Sequence, residues 1–309
     1  MRLYPDSAAS QLEFDKVKAL LKEHARTEYA REKASELRVH TKKEYISLEL
    51  NQSNEYKLIL QQSQYFPSDF PHNLSRDLKL LSIPGALLTG EQWMPIRKLT
   101  ENIGNVFRWF DAERRQAFPA LSQVIEGSYF EKVIIELIDE ILDESGNVKD
   151  KASEDLQKIR MSLFRKRNEL RRVFDKVVAK LTKAGYSADI DESFSNGRRV
   201  VAVFSEHKRQ VKGILHGESD SRKTAFIEPE ETIELNNDVF ALENDEAREI
   251  QRILRELTAR LSVYSPLLQQ YLQITGEYDF IHAKAKLAMQ MNGQLPELTD
   301  KAHVHLIDA

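Results

Sequence analysis

The chain has 309 residues, of which 30% are charged and 41% hydrophobic, and it contains only 11 glycines and 9 prolines. So few turn-forming residues are typical of a mainly helical protein, and the length suggests two or three sub-domains. The sequence has no cysteine, which excludes disulfides, thiolate zinc sites and thiol catalysis. The first ten residues lack a signal-peptide pattern and no apolar run approaches about 18 residues, so we expect a cytoplasmic protein without membrane spans.

Charge is distributed unevenly along the chain. The net charge is −4, yet residues 150–225 hold 18 lysines and arginines against 11 acidic residues, a local excess of +7. A basic middle in an acidic protein indicates a surface that faces a polyanion. The alternative is that these charges cover the solvated face of paired helices, and the charge count favours neither interpretation.

Residues 1–127 are predicted to form a helical core domain. Residues 10–38 read as two short helices and 44–62 as a third, and 65–75 is a loop punctuated by prolines. Four aromatic residues are predicted to be core for this domain rather than a platform for stacking bases: Trp93, Phe107, Trp109 and Phe110.

Residues 128–185 are predicted to form the outgoing helices of an arm, and residues 238–292 the returning helix and further core. A helix over 128–142 precedes Asp150, a candidate cap for a helix over 151–184. In the return segment, Ser265-Pro266 should begin a new helix, because proline is tolerated only in a first turn. A repeat of about 3.5 residues predicts an antiparallel coiled coil. Its seam residues are Leu156, Ile159, Leu163, Leu170, Val173, Val177, Ile250, Leu254, Leu257, Leu261 and Tyr264.

Residues 186–237 have the residue pattern of strands rather than of helices. Arg198 to Phe204, Val211 to His216 and Thr224 to Ile227 are β-branched and apolar runs separated by polar turns, which predicts a small antiparallel sheet. A sheet inserted between paired helices should lie at their far end. The predicted fold class is therefore mainly α: a helical core domain and a long antiparallel coiled-coil arm that carries a β tip.

Few residues suggest catalysis. The sequence has no G-x-x-x-x-G-K-[ST] phosphate loop, and its histidines form no helical i, i+4 pair. His303 and His305 could share one face of a strand, but a metal site would need more ligands, so a solvated strand is favoured. We therefore expect no catalytic residue, cofactor or metal ion within this chain.

Basic residues are the informative set. For most basic residues of the arm, cross-pairing with acids of the return helix is favoured over contact with a partner; these acids are Glu243, Asp245, Glu246, Glu249 and Glu256. In the tip fewer acids lie nearby, so its basic residues are predicted to bind phosphates in a salt-sensitive, sequence-independent way. The candidate nucleic-acid-binding residues are Arg198, Arg199, Lys208, Arg209, Lys212, His216, Arg222 and Lys223.

The tip also carries motifs of a known family. Residues 213–219 read GILHGES, residues 224–229 read TAFIEP, and residues 234–237 read ELNN. This resembles the clamp signature of the second bacterial subfamily of MutS proteins (MutS-II): G-[IV]-[IV]-H-x-x-S, T-x-F-[IV]-E-P, then E-x-N-N. Weaker helical matches, including Asp279-Phe280, extend the resemblance over nearly the whole chain. Two departures stand out: Arg222 occupies a position where the family usually has glycine, and the strand R-[YL]-V-I-P-V appears here as residues 199–203, RVVAV.

The resemblance implies a core, lever and clamp region without catalysis of its own. In the family an ATPase domain that uses ATP and magnesium follows the lever, often with a small nuclease-like domain, and residues 293–309 resemble the start of that ATPase domain. The resemblance also implies a homodimer in the full-length protein. Family roles are suppression of recombination or DNA repair through branched DNA, or sensing of collided ribosomes, and both targets are polyanions. A dimerisation module, with rods and tips meeting a second subunit, is the further alternative.

Overall fold

The computed structural model describes residues 7–67, 69, 74–188, 193–300 and 305. The prediction of a mainly helical protein with a small antiparallel sheet is confirmed. The chain divides into two compact units: unit 1 is Met1–Asn147 with Leu257–Ala309, and unit 2 is Val148–Glu256. Part of the predicted loop at 65–75, His303 and most of residues 301–309 lie outside the described residues.

The helices and strands follow one another in this order. The helices before the sheet are α1 Ala8–Gln11, α2 Phe14–His24, α3 Glu28–Ser35, α4 Lys43–Gln61, α5 Ser75–Leu81, α6 Gly90–Trp109, α7 Ala112–Ala117, α8 Pro119–Ser122, α9 Val133–Ile141 and α10 Glu154–Lys183. The strands are β1 Ser193–Ser195, β2 Arg198–Phe204, β3 Gly213–Glu218 and β4 Thr224–Pro229. The last helices are α11 Ile233–Leu261 and α12 Ser265–Gln290.

Unit 1 is organised around α12, which packs against α2, α3, α4, α5 and α6. Because α12 is surrounded, it buries residues on most of its faces, including Tyr271, Tyr278 and Phe280. The predicted aromatic core is confirmed for Trp93, Trp109 and Phe110, which are buried, while Phe107 is half-buried. Within the ranges that the structure describes, no helix combines the length and the apolar character that a bilayer span needs.

Unit 2 contains α10, most of α11 and the sheet. Of the residues predicted for the seam on α10, Leu156, Leu163, Leu170 and Val177 are buried, whereas Ile159 and Val173 are half-buried. Leu163 and Leu170 cluster with Val239 of α11. Farther along, the buried face of α10 packs on the sheet through residues of both elements: Phe174, Val177, Leu181, Val201, Val203, Ala225 and Ile227.

The sheet has the order β1-β2-β4-β3 with antiparallel neighbours. Phe204 pairs with Thr224 and Gly213 with Pro229, so the β3–β4 turn and the last residue of β2 lie at the same end of the strands. At the opposite end of the strands, the chain passes from β4 into α11. A bulge between Leu215 and Gly217 interrupts the β3–β4 ladder.

Several boundaries differ from the prediction. Residues 10–38 form three helices instead of two, and the helix expected from residue 128 begins at Val133. Ser153, rather than Asp150, caps α10, because its side chain accepts from the backbone N–H of Leu156 at 3.0 Å. The prediction at Ser265-Pro266 is confirmed: α11 ends at Leu261, a 3-10 turn follows, and Pro266 lies in the first turn of α12.

Candidate nucleic-acid interface

The end of the sheet that is followed by α11 holds a buried carboxylate. Glu228 of β4 is fully buried and accepts hydrogen bonds from Arg198 Nη1 at 2.7 Å, His216 Nε2 at 2.7 Å and Asn236 Nδ2 at 2.9 Å. Arg198 also donates to Asn237. Two predicted nucleic-acid residues, Arg198 and His216, are thus tied to the interior of unit 2.

Arg199 and Lys208 also have contacts within unit 2. The Arg199 guanidinium lies 5.8 Å from the centre of the Phe174 ring and 5.6 Å from that of Phe194. Phe194 remains 62% exposed, so this flat cation sits beside an accessible aromatic ring. Lys208 pairs with Glu218 at 2.5 Å, and its ammonium lowers the pKa of the Glu218 carboxyl.

The other four predicted residues form a set that we call the sheet cations. Their side chains are exposed, and no ion pair joins them to another described residue: Arg209, Lys212, Arg222 and Lys223. Arg209 and Lys212 lie in the connection between β2 and β3, and Arg222 and Lys223 lie in the β3–β4 turn. The eight predicted residues therefore belong to different strands, turns and connections of unit 2, and their role in binding stays a prediction.

The backbone of Arg222 explains the departure noted at that position. Its φ is +55°, in the left-handed region that favours glycine. The turn is closed by hydrogen bonds from Arg222 N to Ser219 O at 2.7 Å and from Ser219 N to Thr224 O at 2.8 Å. The turn geometry is therefore kept despite the side chain, and the arginine adds a cation.

Replacing Arg222 with glycine should leave the stability of unit 2 unchanged or raise it by up to about 1 kcal/mol. Relief of the left-handed Cβ strain offsets the greater backbone freedom of unfolded glycine. Lys223→Gly is the matched control, because Lys223 has no positive φ and should lose about 0.5 to 1 kcal/mol. Hydrogen exchange of the peptide covering residues 213–229 measures both effects. A larger loss for Arg222→Gly than for Lys223→Gly would contradict the expectation.

The cations of α10 divide between paired and unpaired positions. Across the two helices, Arg160 pairs with Glu246 at 2.7 Å, Lys166 with Asp238 at 2.8 Å, and Arg167 with Glu243 at 2.7 Å. Arg160 pairs with Glu246, whereas Lys166 and Arg167, later in α10, pair with residues earlier in α11, so the helices run antiparallel. The interpretation favoured for the arm charges, cross-pairing with the return helix, is confirmed for these three residues but is wrong for most of the arm cations. Lys158 pairs with Glu154 of its own helix, and no ion pair with a described residue joins the other six: Arg165, Arg171, Arg172, Lys176, Lys180 and Lys183.

Unit 1 offers a cavity of about 860 Å³ whose inner wall includes Phe280 and Lys284. Burial lowers the pKa of Lys284, which pairs with Glu49, and Lys33 pairs with Glu277 at 2.6 Å. The Lys33 ammonium lies 5.1 Å from the centre of the Phe280 ring, and the Lys284 ammonium lies 4.7 Å from it. These half-buried charges are balanced inside unit 1. Among the described residues, no three His, Asp or Glu side chains gather where they could hold a metal ion.

Glu228 and Asn236 belong to the tip motifs, but the sequence pattern predicts no function for them. A carboxylate at the end of the apolar run TAFIE was the available signal, because a charge in a buried strand requires partners. Phe194 is a further residue that the sequence did not single out. It lies in β1, which was not predicted.

Together these features define a class of protein: a helical protein in which a small antiparallel sheet with exposed cations in its connections lies between two antiparallel helices in the chain. No protein-family model matches the chain. Among known proteins, it is 29% identical to the protein named endonuclease MutS2 of Lactococcus lactis subsp. lactis (strain IL1403) over 298 residues, which are 96% of this chain and 38% of that protein.

Other relatives carry the same name. The chain is 29% identical over 287 residues to endonuclease MutS2 of Aquifex aeolicus (strain VF5), covering 93% of this chain and 37% of the relative. It is 30% identical over 215 residues to that of Carboxydothermus hydrogenoformans, covering 70% and 27%. These similarities indicate that the chain is related to the MutS-family proteins named MutS2. The chain spans less than two fifths of the length of these relatives.

Proposed function

We propose that this chain is the core, lever and clamp region of a MutS-II protein and that it grips branched or otherwise structured DNA through its sheet cations. The observation that carries the proposal is the charge around the sheet. Arg209, Lys212, Arg222 and Lys223 are exposed, and among the described residues none of them has an ion pair. The relation to proteins named MutS2 supports DNA as the polyanion.

The chemistry of these cations supports binding that does not depend on the base sequence. Lysine and arginine bind phosphates and release counterions, which gives affinity that depends on salt and hardly on sequence. The exposed Phe194 ring, with Arg199 beside it, adds a surface on which an unpaired base of a branch point can stack. Branched DNA offers phosphates for the cations, because its strands converge, and it offers bases at the branch point that can leave their stack and pack on an aromatic ring.

Catalysis is not part of this proposal. The sequence contains no phosphate-loop motif, and we assign ATP and magnesium to the portion of such proteins beyond the 38% that this chain spans. The homodimer of the full-length protein is likewise proposed for the longer polypeptide. Measurable hydrolysis of ATP or cleavage of DNA by the purified chain would contradict the assignment.

Reversing the charge of the four sheet cations should weaken binding of four-way branched DNA by at least about a hundredfold. Each lost phosphate contact lowers the salt slope of log K by about 0.9, so the slope should fall by up to about 4. The variant is Arg209→Glu, Lys212→Glu, Arg222→Glu and Lys223→Glu. Fluorescence anisotropy at a series of salt concentrations measures both quantities.

The matched control makes the same change in net charge within unit 1. Its four positions are exposed and have no ion pair with a described residue: Lys22→Glu, Lys42→Glu, Arg76→Glu and Lys79→Glu. The control should bind nearly as well as the parent. Equal binding by parent and sheet variant would overturn the proposal, and a preference of the parent for ribosomes over branched DNA at equal salt would overturn the choice of target.

A further inference from the structure

The outward side of α10 carries a line of cations that the fold does not use. Five of its basic residues are exposed, and no described residue forms an ion pair with them; we call them the outer stripe: Arg165, Arg172, Lys176, Lys180 and Lys183. At about 100° per residue they fall within an arc of about 80°. The arc lies opposite the buried residues of the same helix, such as Leu163, Leu170 and Phe174.

Acidic neighbours do not balance this arc. The acids of α11 that reach α10 are occupied by the other face, where they pair with Arg160, Lys166 and Arg167. Glu169 is the one acid on the arc between Arg165 and Lys183, and it pairs with Lys166 at 3.5 Å. The outer stripe is therefore a net positive surface within unit 2.

Retaining this stripe costs the isolated helix stability. Arg172, Lys176 and Lys180 follow one another at a spacing of four residues, and like charges at that spacing destabilise a helix by a few tenths of a kcal/mol per pair. Helix formation and packing would be served equally well by glutamine at these positions. The stripe is thus better explained by an external polyanion than by the fold.

We propose that the outer stripe binds the phosphate backbone of double-stranded nucleic acid, as a second contact surface beside the sheet cations. This inference rests on the proposed function. Eighteen residues of helix separate Arg165 from Lys183, which is about 27 Å. One strand of a duplex presents a phosphate about every 3.4 Å along its axis, so the stripe can run beside about eight of them.

The surroundings of the stripe favour a nucleic acid over an acidic protein. Protein interfaces have an apolar, often aromatic centre. Between Arg165 and Lys183 no described large hydrophobic side chain is strongly exposed; Phe164, just before the stripe, is the nearest. A linear, purely polar row of cations suits a regular line of phosphates.

Neutralising the stripe should reduce the salt slope of linear-duplex binding by up to about 0.9 per cation, or about 4.5 in all. The variant is Arg165→Gln, Arg172→Gln, Lys176→Gln, Lys180→Gln and Lys183→Gln, and a 30-base-pair duplex without branches is the probe. The control neutralises five exposed cations of unit 1: Lys22→Gln, Lys42→Gln, Arg76→Gln, Lys79→Gln and Lys286→Gln. It should keep the slope of the parent.

A conservative variant separates charge from structure. Arg165→Lys with Arg172→Lys preserves the charge, so it should keep the parent slope, and a loss there would show that the effect comes from the fold of α10. If the five-glutamine variant binds the linear duplex like the parent while the sheet variant loses branched DNA, the stripe proposal is overturned and the proposed function stands. If both variants bind like the parent, both proposals fail.

Discussion

Replacing Glu228 with alanine should lower the free energy of unfolding of unit 2 by about 3 to 5 kcal/mol, the usual cost of breaking a buried ion pair from one side. Arg198 is only 24% exposed and would keep a charge without its partner. His216 and Asn236 would each lose an acceptor. Because these donors belong to β2, β3 and α11, the substitution should loosen the sheet from the first turns of α11.

Hydrogen exchange of the peptide covering residues 213–229 is the appropriate measurement, because both tryptophans, Trp93 and Trp109, belong to unit 1 and report on that unit. Glu230→Ala is the matched control: Glu230 is exposed, lies two residues away, and should change stability by less than about 0.5 kcal/mol. Unchanged protection of residues 213–229 in Glu228→Ala would show that the network does not hold the sheet.

Replacing Asp279 with alanine should cost unit 1 about 2 to 4 kcal/mol. The buried Oδ2 of Asp279 in α12 accepts from Arg26 N at 2.9 Å, Thr27 N at 2.6 Å and Thr27 Oγ1 at 2.8 Å. It thus satisfies backbone donors where α3 begins, and their loss leaves donors with the full cost of desolvation. Urea unfolding followed by tryptophan fluorescence measures the change.

The same substitution should alter the pH dependence of unit 1. Burial raises the pKa of the Asp279 carboxyl, although the hydrogen bonds from Thr27 and Arg26 oppose the shift. A raised folded pKa means that the contribution of this group is fully present below the unfolded value of about 3.9 and declines as the pH rises through the folded pKa. Asp279→Asn keeps an acceptor and removes the titration, so it should cost less than alanine. An equal cost for both variants would contradict the hydrogen-bonding role.

Local signals made much of the fold predictable. The run Arg198 to Phe204 was predicted as a strand with its observed bounds, because β-branched residues between polar turns need no distant partner to be recognised. The heptad of Leu156, Leu163 and Leu170 located the buried face of α10 in the same way. Strand β1, only three residues long, carries too little pattern to be recognised.

The candidate site was less predictable, because neighbours in the chain separate in space. Arg198 and Arg199 are adjacent, yet one reaches Glu228 and the other lies beside Phe174 and Phe194. Arg165 and Arg167 are two residues apart, and only Arg167 pairs with an acid of α11. Whether a cation forms an ion pair depends on how residues about 30 to 80 positions apart pack together. The spacing of residues within one segment does not encode that packing.

The division into units sets the order in which the protein can fold as it is synthesised. Unit 2 is a continuous stretch, so its contacts are complete once residue 256 has been made. Unit 1 is interrupted by that stretch and lacks its central helix until α12 follows. The N-terminal helices therefore emerge without the surface against which Leu21, Ala30 and Ala34 are buried. Their apolar faces stay uncovered while the inserted unit is translated, and apolar surface exposed in an incomplete chain favours aggregation.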